Sequence, residues 1–208
     1  MAYPTVSAPY GLKPINRVDG MPYAGAIRQI PIDGDYNTAI YNGDIVRIAA
    51  GGTIEKSTVT TDSTTAAANA TYGVFVGVSY TNSMSQPVDA QYYPGNSGVS
   101  NAVAFVVDDP MAAFKVAVTY SGNATVTSVN ESIVGTNVPV RQGTGSATTG
   151  DSALSVYATN AQGNAAALPL RVVAVVPDTN TSATTFCEVI VKFNNPQILR
   201  TTGLDYAA

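Results

Sequence analysis

Hydrophobic and polar residues alternate in short runs along this chain, with the period of two that belongs to half-buried strands. Ala26-Ile27-Arg28-Gln29-Ile30-Pro31-Ile32 alternates first, and Asp33-Gly34-Asp35 closes it with a turn. Thr38 to Tyr41 and Asp44 to Ala49 are two further β runs, separated by Asn42-Gly43, the strongest two-residue hairpin signal. Gly51-Gly52 makes a tight turn into Thr53-Ile54-Glu55-Lys56. Residues 57–71 read as a polar loop with one helical turn at 66–70. Tyr72 to Tyr80 is a continuous apolar run and so a buried strand, with Gly73 and Gly77 marking close backbone approach. Residues 82–100 read as a polar loop that carries Tyr92 and Tyr93.

In the second half, Ala102 to Val107 and Ala113 to Val118 are strands joined by a corner at Asp108-Asp109-Pro110. Val126 to Val129 is a short strand, Ile133 to Arg141 is mixed, residues 142–151 form a glycine-rich loop, and Ala153 to Tyr157 is a short strand. Leu170 to Val176 and Phe186 to Phe193 close the chain as a hairpin. No stretch shows a sustained period of 3.6, and no fixed-length repeat occurs. The fold class is therefore all-β, an antiparallel β-sandwich or barrel-like body over residues 25–208, built as one unit or as two β subdomains divided near 100–125. Residues 1–24 read as an extended N-terminal arm, because Pro4, Pro9, Pro14 and Pro22 exclude helix and argue against a central strand. The arm is too apolar for a solvated linker, so it is expected to lie on its own body or on a neighbouring subunit. Crossing to a neighbour is the working expectation, with removal of residues 2–20 leaving the β body folded.

Composition narrows the chemistry. The 208 residues include no His, no Trp and one Cys, and only 12% are charged. Histidine is the commonest proton shuttle and metal ligand, so its absence points away from most catalytic designs and rules out a Ser-His-Asp triad. The net charge is −4 and the 10 basic residues are scattered, so no nucleic-acid partner is expected. Cys187 sits in an apolar run and reads as a small buried hydrophobe. The opening Met1 to Val6 lacks the regions of a leader peptide, and no run approaches the ~20 apolar residues of a membrane helix, so neither leader nor membrane partner is expected.

Remaining motifs favour structure over chemistry. Asp33-Gly34-Asp35 lacks the further oxygen ligands that calcium needs and reads as a turn. Asp108 and Asp109 are adjacent, so in a strand they point to opposite faces rather than into one acid–base site. Gly143 to Thr148 lacks the lysine and helix of a phosphate loop. A glycosidase would need two facing carboxylates, and Glu55, Glu131 and Glu188 offer no evident pair. No cofactor, no metal and no enzymatic activity are expected. The tyrosines and terminal aliphatics are the candidate contact residues: Tyr3, Tyr10, Leu12, Ile15, Tyr23, Tyr92, Tyr93, Ile198, Leu199, Leu204 and Tyr206.

An ordered set of stretches carries a resemblance. These are Tyr10-Gly11-Leu12-Lys13-Pro14, Tyr41-Asn42-Gly43-Asp44-Ile45-Val46, Gly73-Val74-Phe75-Val76-Gly77-Val78, Val107-Asp108-Asp109-Pro110 with Phe114, and Glu188-Val189-Ile190-Val191 with Thr201-Thr202-Gly203-Leu204. Together they resemble capsid decoration, or cement, proteins of tailed phages that infect aquatic bacteria, cyanobacteria among them. The resemblance implies a structural virion protein on the outer surface of an icosahedral head, made in the host cytoplasm. It also implies binding to a major capsid protein of HK97-type fold and assembly as a homotrimer. The alternative is a tail, fibre or host-adhesion protein that binds a carbohydrate or receptor through the Tyr92-Tyr93 region.

Overall fold

Short β-branched runs punctuated by Gly, Asn and Asp fold as short strands, because each run has one or both faces to bury and the punctuating residues supply the turns. The computed structural model describes residues 6–58, 71–120, 124–157, 166, 168–182 and 184–199. Among them there is no α-helix, and three 3-10 turns occur, at Glu131–Ile133, Pro177–Thr179 and Gln197–Leu199. The fold is all-β with several antiparallel sheets, one of them nearly closed and barrel-like.

A six-stranded sheet contains β2 (Arg28–Pro31), β4 (Ile45–Ile48), β5 (Ile54–Lys56), β6 (Gly73–Asn82), β7 (Pro87–Ala90) and β9 (Val99–Val107). Its order is β2-β9-β6-β4-β5, with β7 also on β6. A two-stranded ribbon pairs β3 (Ile40–Tyr41) with β8 (Tyr92–Tyr93). A seven-stranded sheet contains β1 (Lys13–Arg17), β10 (Ala112–Thr119), β11 (Asn137–Val138), β12 (Val140–Arg141), β13 (Ser155–Tyr157), β14 (Leu170–Val175) and β15 (Glu188–Phe193). Its order is β11-β14-β15-β10-β13-β12, with β1 beside β10 and one parallel pairing, β10 with β13.

The six-stranded sheet is buried on both faces near its middle. Ile45, Val74 and Val107 point into the large core that β10, β14 and β15 also fill, whereas their chain neighbours Val46, Phe75 and Val106 point into a second core. Successive residues of a strand alternate faces, so a strand shared by two cores must be apolar at consecutive positions. This is why Tyr72 to Val78 shows no alternation. The two sheets are also interleaved in sequence, since β1 precedes the first sheet yet pairs with β10 of the other.

The β4–β5 hairpin through Gly51-Gly52 and the β14–β15 hairpin form as the pattern predicts. The corner at Asp108-Asp109-Pro110 passes the chain from β9 in one sheet to β10 in the other. Elsewhere tertiary partners override local signals. Asn42-Gly43 is a turn but no hairpin: β3 and β4 on its two sides belong to different sheets, because Gly43 N–H bonds to Phe75 O (2.8 Å) and Asn42 N–H to Gly150 O (2.9 Å). Residues 82–100, expected as a loop, contain β7, β8 and the extended ends of β6 and β9, with Val88 paired across from Tyr80. Val126 to Val129 is not a strand. The Asn180 side chain takes the place of a neighbouring strand there, accepting from Val129 N–H (2.7 Å) and donating to Val129 O (3.1 Å). The helical turn expected at 66–70 lies outside the described residues.

Part of the segment read as an extended arm lies on its own body. Lys13–Arg17 pairs antiparallel with β10, and Leu12 is fully buried in the large core. Removing residues 2–20 would therefore take away a strand and a core side chain, so the body is expected to lose stability without them.

Candidate functional site

Where the N-terminal segment meets the body, two glycines touch. Gly11 (φ +82°) and Gly43 (φ +95°) adopt left-handed backbone conformations, and a Cβ on Gly43 would lie 2.9 Å from Leu12 N and 3.0 Å from Gly11 Cα. Backbone bonds cross this contact in several directions: Leu12 N–H to Gly43 O (3.0 Å), Gly11 N–H to Leu154 O (3.0 Å) and Ser152 N–H to Asn42 O (2.9 Å). Three segments distant in sequence, around 11, 43 and 152, are thereby fixed to one another.

Beneath the junction lies a buried polar network. Asp44 Oδ2 accepts from Tyr41 N–H (2.9 Å) and Lys56 Nζ (2.9 Å), and its Oδ1 accepts from the Ser152 hydroxyl (2.5 Å). Ser152 Oγ in turn accepts from Leu154 N–H (2.9 Å). A serine beside a carboxylate and a lysine has the parts of an activated nucleophile. Here Asp44 and Ser152 are 1% and 2% exposed and every oxygen of the pair is engaged, so the network acts as a brace. Tyr41 stacks on Tyr92 at 5.5 Å between ring centroids, and Lys56 Nζ lies 5.8 Å from the Tyr41 ring centre.

A second brace joins the N-terminal segment to β15. The Tyr10 hydroxyl donates to Glu188 Oε1, and Lys115 Nζ approaches the same oxygen at 3.2 Å. Burial, and then the bond to Glu188, push the Tyr10 hydroxyl well above the usual tyrosine range. Neighbouring Cys187 is fully buried, and that burial raises its thiol to about 12. The thiolate is the reactive form, so Cys187 is expected to resist thiol-specific labelling at mildly alkaline pH in the folded chain and to react fully in denaturant. Rapid labelling of folded protein would show that β15 opens.

The corner carboxylates have separate partners. Asp108 holds Arg28 Nε (2.7 Å) and the Tyr72 hydroxyl (2.9 Å), while Asp109 holds Arg17 (3.4 Å) and Met111 N–H (2.8 Å). Burial first, and the bond to Asp108 second, raise Tyr72 to about 12 from 10.0. Because the folded form holds this proton more tightly than the unfolded form, the stabilisation is complete below pH ~10 and is lost as pH rises through ~12. Denaturant melts at stepped alkaline pH check this; Tyr72→Phe should flatten that part of the profile, and an unchanged slope would remove Tyr72 as its cause.

The candidate contact residues divide into three groups. Leu12 is fully buried and Tyr93 is 1% exposed, with its hydroxyl bonded to Tyr36 O (2.8 Å), so both belong to the interior of their own body and offer no free surface. Tyr10, Ile15, Tyr23 and Tyr92 are half-buried, with Tyr23 donating to Ala26 O (2.9 Å). Ile198 and Leu199 are exposed, and Met21, Ile27 and Met84 join them as exposed large apolar side chains that the sequence did not single out. Tyr3, Leu204 and Tyr206 lie outside the described residues. A groove of about 670 Å³ separates the N-terminal segment from the 144–153 loop, with Val6, Pro9, Tyr10, Thr144 and Asp151 in its walls. Among the described residues, no three His, Cys, Asp or Glu side chains are placed to hold a metal ion.

Sequence reasoning missed the residues that hold the junction. Glu188 carried a usable signal, since it is a carboxylate inside an apolar run and such a residue needs a buried partner, whereas Asp44 follows Asn42-Gly43 and reads as turn chemistry. Asn42 and Ser152 carried none, because only the fold brings residues 42 and 152 together. Comparison with family models, with curated proteins and with solved structures finds no match to this chain.

Proposed function

We propose that this chain is a capsid decoration protein of a tailed phage, bound as a homotrimer to the outside of a head built from HK97-type subunits. One observation carries the reading. The stretches that resemble decoration proteins converge on the two braces: Gly11 meets Gly43, Gly43 N–H bonds to Phe75 O, and Tyr10 bonds to Glu188. Residues from four of the stretches are thus in contact within one unit, and Val107 joins them by pairing with Val74.

The proposed action is mechanical. Packaged DNA pushes the shell outward, and a subunit that spans neighbouring capsomers adds contact area where they join. Exposed Ile27 just before β2, and Ile198 and Leu199 in the 197–199 turn, are apolar groups available for such contact. Aliphatic anchors buried on docking supply affinity. A stable interface needs ~800 Å² from each partner, more than either group offers alone, so both are expected to contribute. Sedimentation of purified heads with Ile27→Asp and Leu199→Asp variants checks this. Each should fall out of the head fraction while melting as the parent does. Co-sedimentation at parental levels would remove these side chains from the interface.

A further inference from the structure

We infer that Lys13 and Asn42 are the donor and acceptor of an intramolecular isopeptide bond, formed with Asp151 as the proton carrier. Lys13 Nζ lies 2.8 Å from Asn42 Oδ1 and 2.7 Å from Asp151 Oδ1. An amine in contact with both a carboxamide and a carboxylate has the complete set of parts for this condensation, which needs neither cofactor nor oxidant.

The backbone holds each partner in place. Asn42 and Asp151 face each other across a parallel bridge, with Asn42 N–H bonded to Gly150 O (2.9 Å) and Ser152 N–H to Asn42 O (2.9 Å). Lys13 follows Leu12, whose N–H bonds to Gly43 O (3.0 Å). Asn42 Nδ2 donates to Val76 O (2.9 Å), which turns the amide oxygen toward Lys13 and the departing nitrogen away from it. Lys115, opposite Lys13 in register, pairs with Glu188 instead, so Asp151 is the carboxylate that Lys13 contacts. Groups fixed this way react as one molecule, at effective concentrations far above those in solution.

In the step, Asp151 takes one proton from the Lys13 ammonium. The freed Nζ lone pair attacks Asn42 Cγ, and the carbonyl pair moves onto Oδ1. A second proton passes from Nζ to Nδ2. The Oδ1 pair then re-forms the carbonyl as the Cγ–Nδ2 bond breaks, and ammonia leaves. The ammonia takes the proton that Asp151 held and departs as ammonium, which restores the carboxylate. The product is a secondary amide between Nζ and Cγ. It closes a loop across 29 positions and ties the N-terminal segment to the β3–β4 turn.

Intact-mass and peptide analysis of the purified full chain tests the inference, before and after incubation at about pH 9–10, where more of a lysine is free amine. The expected product is one ammonia lighter than the sequence. Its tryptic digest should contain a branched species joining residues 1–17 to residues 29–47, since Lys13-Pro14 resists trypsin. Lys13→Arg keeps the charge but cannot form the link, and Asp151→Asn keeps a hydrogen-bonding side chain but cannot carry the proton. Both are expected at full mass. A succinimide at Asn42-Gly43 would also lose ammonia, but Gly43 N–H is committed to Phe75 O at 2.8 Å. Lys13→Arg separates the two, because a succinimide would persist in it. Full mass for the parent after incubation, or ammonia loss retained in Lys13→Arg, overturns the proposal. Unchanged linkage in Asp151→Asn overturns the role given to Asp151.

Discussion

Gly43→Ala is expected to destabilise the chain by about 3 kcal/mol or more, a large share of the ~5–15 kcal/mol that holds a domain folded. Two effects add. The φ of +95° is unfavourable for any residue with a Cβ, by roughly 1 kcal/mol. The new methyl would also lie 2.9 Å from Leu12 N and 3.0 Å from Gly11 Cα, both backbone atoms that cannot rotate away. Relieving that overlap means parting the N-terminal segment from the turn, at a further ~1–3 kcal/mol. Gly20→Ala is the control. Gly20 has a similar φ of +85° with nothing within 4 Å of its would-be Cβ, so it should lose only the conformational part. Urea titration of both variants separates the contributions. Equal losses would mean that the Gly11–Gly43 contact is looser than described.

Asp44→Ala is expected to lose ~3–5 kcal/mol, the range for removing one partner of a buried ion pair. The substitution leaves Lys56 Nζ, the Ser152 hydroxyl and Tyr41 N–H without their shared acceptor. The lysine dominates, because burying an unpaired charge costs more than burying an unpaired hydroxyl. Adding Lys56→Met should recover much of the loss, and the double-mutant cycle gives the coupling directly. Asp44→Asn should fall between, since it keeps the shape and one acceptor oxygen. Additive losses in the cycle would show that Lys56 finds solvent and that Asp44 acts through Ser152 and Tyr41 alone.

These sites show what could be read from the residues. The strand content, the two hairpins and the corner at 108–110 all followed from local pattern, because burial of one face and turn chemistry are encoded within a few residues. Asn42-Gly43 looked like a hairpin because its local signal is the same whether the flanking strands pair with each other or with strands elsewhere. Leu12 and Tyr93 looked like contact residues because an apolar side chain near prolines or in a polar loop gives no sign of whether its own body covers it. Side chains that stand in for strands leave no pattern. Gln197 is one, accepting from Ile48 N–H (2.9 Å) and donating to Ile48 O (3.3 Å), and Asn180 does the same for Val129. The exposed Met21, Ile27 and Met84 were missed for the opposite reason: isolated apolar residues in turns and strand ends resemble core residues in sequence.

The proposed place of this chain on a phage head is most directly tested by cryo-electron microscopy of the intact particle that carries it. The account predicts an all-β trimer on the outer head surface at three-fold positions, with β2 and the 197–199 turn against capsid subunits. Density confined to the tail or fibre tips, or no density in any particle, would contradict it.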